Sequence, residues 1–228
     1  MTTKTVYCFD RKNFAFTGTQ EAQPSPLEPG KFLEPEDSTV KPVPKFGANE
    51  IPVYSPAVDD WAIQPDFRGQ TLFDITTGDA VEISEIGTPP ANLAQTIPAK
   101  VALKLAITAK LEDLSNACAK SITSGFISSA LGSPYTYPSA LTDQSNLIGA
   151  VTASLSPNIP ASWLIKFWCM DANGVWAFQD HTATEIQKVL ADGVVQREIY
   201  SAKLQGLAIQ AQGVSGKTVM ADLAAITW

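Results

Sequence analysis

Few side chains in this chain of 228 residues could do chemistry. His181 is the only histidine. A nucleophile–histidine–carboxylate relay has one imidazole to draw on, and a histidine metal cluster has no second one. His181 also stands directly before Thr182-Ala-Thr-Glu185, where a polar residue suits the entry to a helix. The run Ala211-Gln-Gly-Val-Ser-Gly216-Lys217-Thr218 matches a relaxed phosphate-binding loop with Ala in place of the first Gly. That loop needs a strand before it and a helix after it, whose free N–H groups hold the phosphates. Here a helical pattern precedes it and ten residues follow Thr218, so the match is false. Asp59-Asp60 and Glu34, Glu36 and Asp37 group carboxylates that could hold a cation or split acid and base roles, but their spacing is not that of a calcium loop, and carboxylates in Pro-rich turns are usually solvated. Cys8, Cys118 and Cys169 are far apart and form no Cys-x-x-Cys pair, which predicts buried free thiols. No catalytic, cofactor-binding or metal-binding residue is assigned.

The remaining chemistry is that of binding. Trp163, Phe167, Trp168, Trp176 and Phe178 crowd one predicted hairpin. Side chains alternate faces along a strand, so they cannot all enter one core. Either helices cover both faces, or one face meets a partner, and Trp is a favoured interface anchor. Trp61, Phe67, Arg68, Trp168 and Trp176 are the candidate partner-binding residues.

Charge narrows the partner. Residues 1–98 hold 7 of the 16 Lys and Arg and 14 of the 23 Asp and Glu, which is the whole net charge of −7. Residues 99–228 carry 9 of each sign and are neutral. An acidic chain with no basic stripe is unsuited to phosphate backbones, so nucleic acid is not expected as the partner. The longest strongly apolar run, 159–170, is broken by Lys166 and too short to span a bilayer, and no apolar leader opens the chain. Neither membrane insertion nor secretion is expected.

The elements that must position these residues divide like the charge. Val6 to Phe16 alternates around Asp10-Arg-Lys-Asn13, which predicts a hairpin within residues 1–19. Nine of the 16 prolines lie between Pro24 and Pro65. They fix φ and remove donors, so residues 20–48 are expected to be an extended, polyproline-like arm. Ile51–Ser55, Trp61–Asp66, Gln70–Asp74 and Ala80–Ile86, separated by turn residues, predict a small antiparallel module over 49–90, closed by Pro89-Pro90.

Residues 99–228 read as a mostly helical α+β domain. Pro98 suits the first position of a helix carrying Leu103, Ile107, Leu111, Leu114, Cys118 and Ile122 on one stripe. Phe126 to Tyr137 predicts strand and turn, and Asn146 to Leu155 a short helix. Trp163–Met170 and Val175–Gln179 flank Asp171-Ala-Asn-Gly174, where Asn-Gly predicts a type I′ turn. Thr182 and Glu185 form a capping box for a long helix to about Gln212, stopped by Gly213. The fold class is therefore α+β: an N-terminal antiparallel β-module, an extended Pro-rich segment, and a C-terminal helical domain bearing a Trp hairpin.

The order of these parts resembles two phage families. Residues 100–228 resemble a domain of unknown function from bacteriophage tail-fibre gene clusters. That likeness lies in the helix over 100–124, Pro134-Tyr-Thr-Tyr137, Asn146-Leu-Ile-Gly-Ala and the Asp-Ala-Asn-Gly hairpin. It continues in Ala202-Lys203-Leu204 and the closing Met220-Ala-Asp-Leu-Ala-Ala-Ile-Thr-Trp228. The front half resembles tail-fibre or tail-fibre-assembly proteins through Ser25-Pro-Leu-Glu-Pro-Gly30, Gly47-Ala-Asn-Glu-Ile-Pro-Val53, Trp61 and Pro65-Asp-Phe-Arg-Gly69. The resemblance implies a non-enzymatic protein, without cofactor, that binds the trimeric fibre or another tail protein. It would be an accessory or assembly chaperone acting in the host cytoplasm. The alternative is a subunit retained in the virion tail, as fibre, baseplate or receptor-binding tip. A homo-oligomer matching the fibre's symmetry is compatible with either.

Overall fold

The structure is a computed structural model and describes residues 4–215 and 219–228. It divides into two units, residues 1–102 and 103–228. Gly216, Lys217 and Thr218 of the false phosphate-loop match lie outside the described residues.

The first unit is built from short antiparallel strands. β1 (Lys4–Phe9) and β2 (Phe16–Pro24) form the predicted hairpin, closed by the Asp10 carboxylate, which accepts from the Lys12 and Asn13 amides. Those two amides hold the Asp10 carboxyl below its ordinary range. β2 continues to Pro24 and pairs with β3 (Phe32–Leu33), while β4 (Ser38–Thr39) pairs with β1, giving the order β3-β2-β1-β4.

Within the Pro-rich stretch 20–48, the end of β2, β3 and β4 tie the chain to the hairpin, and the residues between them lie outside strands. Arg11 also pairs with Glu36 and Asp37, and Lys4 with Glu34. β5 (Glu50–Ser55) and β6 (Asp60–Pro65) form one two-stranded ribbon. β7 (Thr71–Asp74) is flanked by β8 (Ala80–Glu82) and by β9 (Leu93–Ala94). β9 lies beyond Pro89-Pro90, so those prolines do not end the sheet structure. Phe9, Phe16, Tyr54 and Trp61 pack ring to ring and form an aromatic core.

α1 (Ala99–Thr123) begins directly after Pro98 and runs into the second unit. Its predicted stripe faces inward: Leu114 and Cys118 are buried, and Ile107 and Leu111 pack against the cluster that holds Leu114. β10 (Phe126–Ser128), β11 (Tyr135–Tyr137), α2 (Leu141–Ser154), β12 (Ile165–Met170), β13 (Trp176–His181) and α3 (Ala183–Gly213) follow, with α4 (Val219–Ala225) last. The four strands form one antiparallel sheet in chain order. α2 starts five residues before the helix expected at Asn146, because Asp143 turns back to accept the Ala140 amide.

The capping box of α3 is present. Thr182 Oγ1 accepts from the Glu185 amide at 3.3 Å, and Glu185 Oε2 accepts from the Thr182 amide at 2.7 Å. Gly213 is the last helical residue and has no positive φ, so it is not the left-handed stop expected there.

Candidate partner-binding face

The second unit's sheet has one covered face and one open face, and strand parity decides which side chain goes where. Phe126, Tyr137, Phe167 and Cys169 point inward and pack with Leu147, Ala150 and Val151 of α2 and Ile186 and Val189 of α3. Gly193 lets α3 approach: a Cβ there would meet the Phe126 ring at 2.9 Å. Trp168, Trp176 and Phe178 point the other way and are 40%, 39% and 62% exposed.

On the open face Trp168 opposes Phe178 directly, with ring centroids 4.9 Å apart. Trp176 opposes Met170 and stacks diagonally on Trp168 at 6.0 Å and 15°. Lys166 and Asp180 close one end with a 3.0 Å ion pair, exposed enough to contribute little stability. Ile127 of β10, 65% exposed, belongs to the same face, opposite Thr136, which in turn opposes Met170. A cleft of about 590 Å³ opens beside Trp168 and Phe178, bounded by Asp143, Asn146 and Lys166.

The hairpin's end is not the expected type I′ turn. Gly174 has φ +80°, but Asn173 has no positive φ. The Asp171 carboxylate accepts from the Asn173 and Val175 amides, each at 2.9 Å, and this local cap replaces the second left-handed residue. Those amides also lower the Asp171 carboxyl's proton affinity, the Val175 amide most.

Behind the aromatic face lies the one histidine. His181 is fully buried and Nδ1 is 2.9 Å from the Gln179 carbonyl, which can only accept. Nδ1 therefore carries the proton, and Nε2 accepts from the Tyr137 hydroxyl at 2.8 Å. Burial depresses the His181 pKa, and raises those of Tyr137 and Cys169 beside it. This trio is neutral, hydrogen-bonded and out of reach of substrate. Its work is to satisfy polar atoms inside the core. Among the described residues no three His, Cys, Asp or Glu gather as a metal site. No helix among them is long and apolar enough to cross a membrane.

The candidate residues fare unevenly. Trp168 and Trp176 come together on the open face. Trp61 is only 8% exposed, its ring among Phe9, Phe16 and Tyr54 and its Nε1 donating to the Lys41 carbonyl at 3.0 Å. It is a core residue and presents no anchor. Phe67 is half-buried, and the Arg68 guanidinium is held bidentately by Asp66 at 2.8 and 2.7 Å. Phe178 was absent from the candidates, although it shares the parity of Trp176 and was legible from it.

No family model matches the chain, and no solved structure matches it. The likeness of residues 100–228 to a domain of unknown function thus rests on its motifs alone. Two curated proteins share a stretch of 64 residues with it. The tail fiber assembly protein of Escherichia phage lambda is 34% identical over 28% of this chain and 33% of its own length. The prophage tail fiber assembly protein homolog TfaR of Escherichia coli (strain K12) is 33% identical over 28% of the chain and 34% of its own length. The chain spans about one third of the curated relatives it matches, so the relationship is distant.

Proposed function

We propose that this protein takes part in phage tail-fibre assembly, binding the fibre without catalysis through the open aromatic face of the second unit. The observation that carries the binding mode is the cluster of Trp168, Trp176 and Phe178, which share one face and stay 39–62% exposed. Aromatic side chains expose large apolar area at little entropic cost and anchor interfaces. The distant likeness to proteins named for tail-fibre assembly supports the choice of partner.

A chaperone role fits the physics of the client. Fibres made of non-local β pairings fold slowly and expose unpaired edges meanwhile. A flat aromatic face can cover such surface until pairing is complete, and the Lys166–Asp180 pair at its end gives orientation. Co-expressing the fibre with and without this chain tests the role. Assembled, soluble fibre should rise with the chain present, and an equal yield without it would contradict the role. Mass spectrometry of purified particles separates a released chaperone, which is absent, from a retained tail subunit, which is present at a fixed ratio to the fibre.

A further inference from the structure

The long helix α3 has two sides. Ile186, Val189, Leu204, Leu207 and Ala211 pack into the unit. The opposite side carries Val195, Ile199, Ala202, Gly206 and Ile209, all exposed, with the three β-branched residues at 54–63%. Their spacing is four, three, four, three, which is a coiled-coil seam: Val195, Ala202 and Ile209 at d, Ile199 and Gly206 at a. Upstream the seam ends at Asp192, whose carboxylate is held by Ser128 and Lys188.

Glycine inside a helix is unfavourable, so each one invites a reason. Gly193 has one within the chain, the Phe126 ring. Gly206 has none: a Cβ there meets nothing within 4 Å. The space it leaves, next to Ala202, faces outward along the seam, where another helix backbone can come close.

The charges beside the seam say which helix that is. Glu198 falls at g and Lys203 at the e position of the next heptad. In a parallel pairing of identical helices, g of one copy reaches that e of its neighbour, so Glu198 meets Lys203. An antiparallel pairing would set Lys203 against Lys203 instead. The other flanking residues, Gln196, Gln205 and Gln210, are uncharged. Lys203 lies over the Trp228 ring, 4.7 Å from its centre, which positions the ammonium and leaves it donors for a carboxylate. With Ile199 at a and Val195 and Ile209 at d, β-branched residues occupy both layers, which shifts the preference from two strands to three or more.

We propose that this protein binds two further copies of itself through a parallel three-helix coiled coil along Val195, Ile199, Ala202, Gly206 and Ile209. Self-association needs no other protein, so this inference stands whether or not the fibre is the partner. Light scattering coupled to size exclusion, on the full chain over a wide range of concentration, reads it directly. The mass should be three times the 24.4 kDa of one chain. Ile199→Glu places a carboxylate in the seam and should cut the mass threefold with an unchanged circular dichroism spectrum. Glu198→Lys should raise the concentration of half-assembly several-fold, and Glu198→Lys combined with Lys203→Glu should restore it. A monomer or dimer at all concentrations, or a trimer that survives Ile199→Glu, would overturn the proposal. If Ile199→Glu fails to fold, the charge reversal and its rescue decide the matter, and failed rescue counts against it.

Discussion

Tyr137→Phe removes one oxygen from the core and keeps the ring, which stacks on Phe126 at 5.7 Å and contacts Phe167 at 6.4 Å. The ring packing survives, so the loss is the hydroxyl's contacts, the hydrogen bond to His181 Nε2 at 2.8 Å and the one with Cys169. That nitrogen is left as an unpaired acceptor in a fully buried residue. Losing one partner of a buried hydrogen bond costs about 1–3 kcal/mol, so about 2 kcal/mol is the working figure. With a urea slope near ~2 kcal/mol per molar, the midpoint should fall by about 1 M. Four of the five tryptophans lie in the second unit, so fluorescence-monitored urea unfolding reports mainly on it. A midpoint within about 0.2 M of the wild type would refute the buried contact.

The same imidazole predicts a pH dependence. Burial lowers its folded pKa below the unfolded value of about 6.5, so the unfolded chain takes up the proton first. Stability should be complete above pH 6.5 and fall as pH drops toward the folded pKa, at no more than about 1.4 kcal/mol per unit from this group. A urea series across that window checks it, and His181→Gln should flatten the slope. Thr182→Ala deletes the acceptor for the Glu185 amide and should cost about 1 kcal/mol, read by thermal melting. Gly193→Val drives a side chain into the Phe126 ring, which a Cβ alone would meet at 2.9 Å, and should cost about 1–3 kcal/mol or more in the same melt. Trp168→Ala combined with Phe178→Ala, on the open face, should change stability far less than either core change.

Features written in local sequence were legible. The capping box Thr182–Glu185, the α1 stripe through Leu114 and Cys118, and the alternation of the Trp hairpin each follow from a few neighbouring residues. The α+β class follows from these elements together. What depends on distant pairing was not legible. Nothing local to Phe32–Leu33 or Ser38–Thr39 shows that they pair with β2 and β1, because prolines break the alternation that marks a strand. Trp61 looked like an anchor since its composition-level appearance, a Trp in an acidic turn-rich region, is the same whether other rings cover it or not. The turn at Asn173-Gly174 failed for a smaller reason: the Asp171 side chain reached the backbone amides and changed the turn type. Alternation along the hairpin showed that its aromatics cannot all enter one core, while the cross-strand register that sets Trp168, Trp176 and Phe178 on one face came from the structure.

The claim that matters most is that the open aromatic face binds the fibre. It is tested by co-expressing tagged chain with the fibre protein and comparing the wild type with Trp168→Ala/Trp176→Ala/Phe178→Ala. The wild type should retain the fibre, and the triple variant should lose it while keeping its circular dichroism spectrum. Equal retention by both, or by neither, would contradict the account.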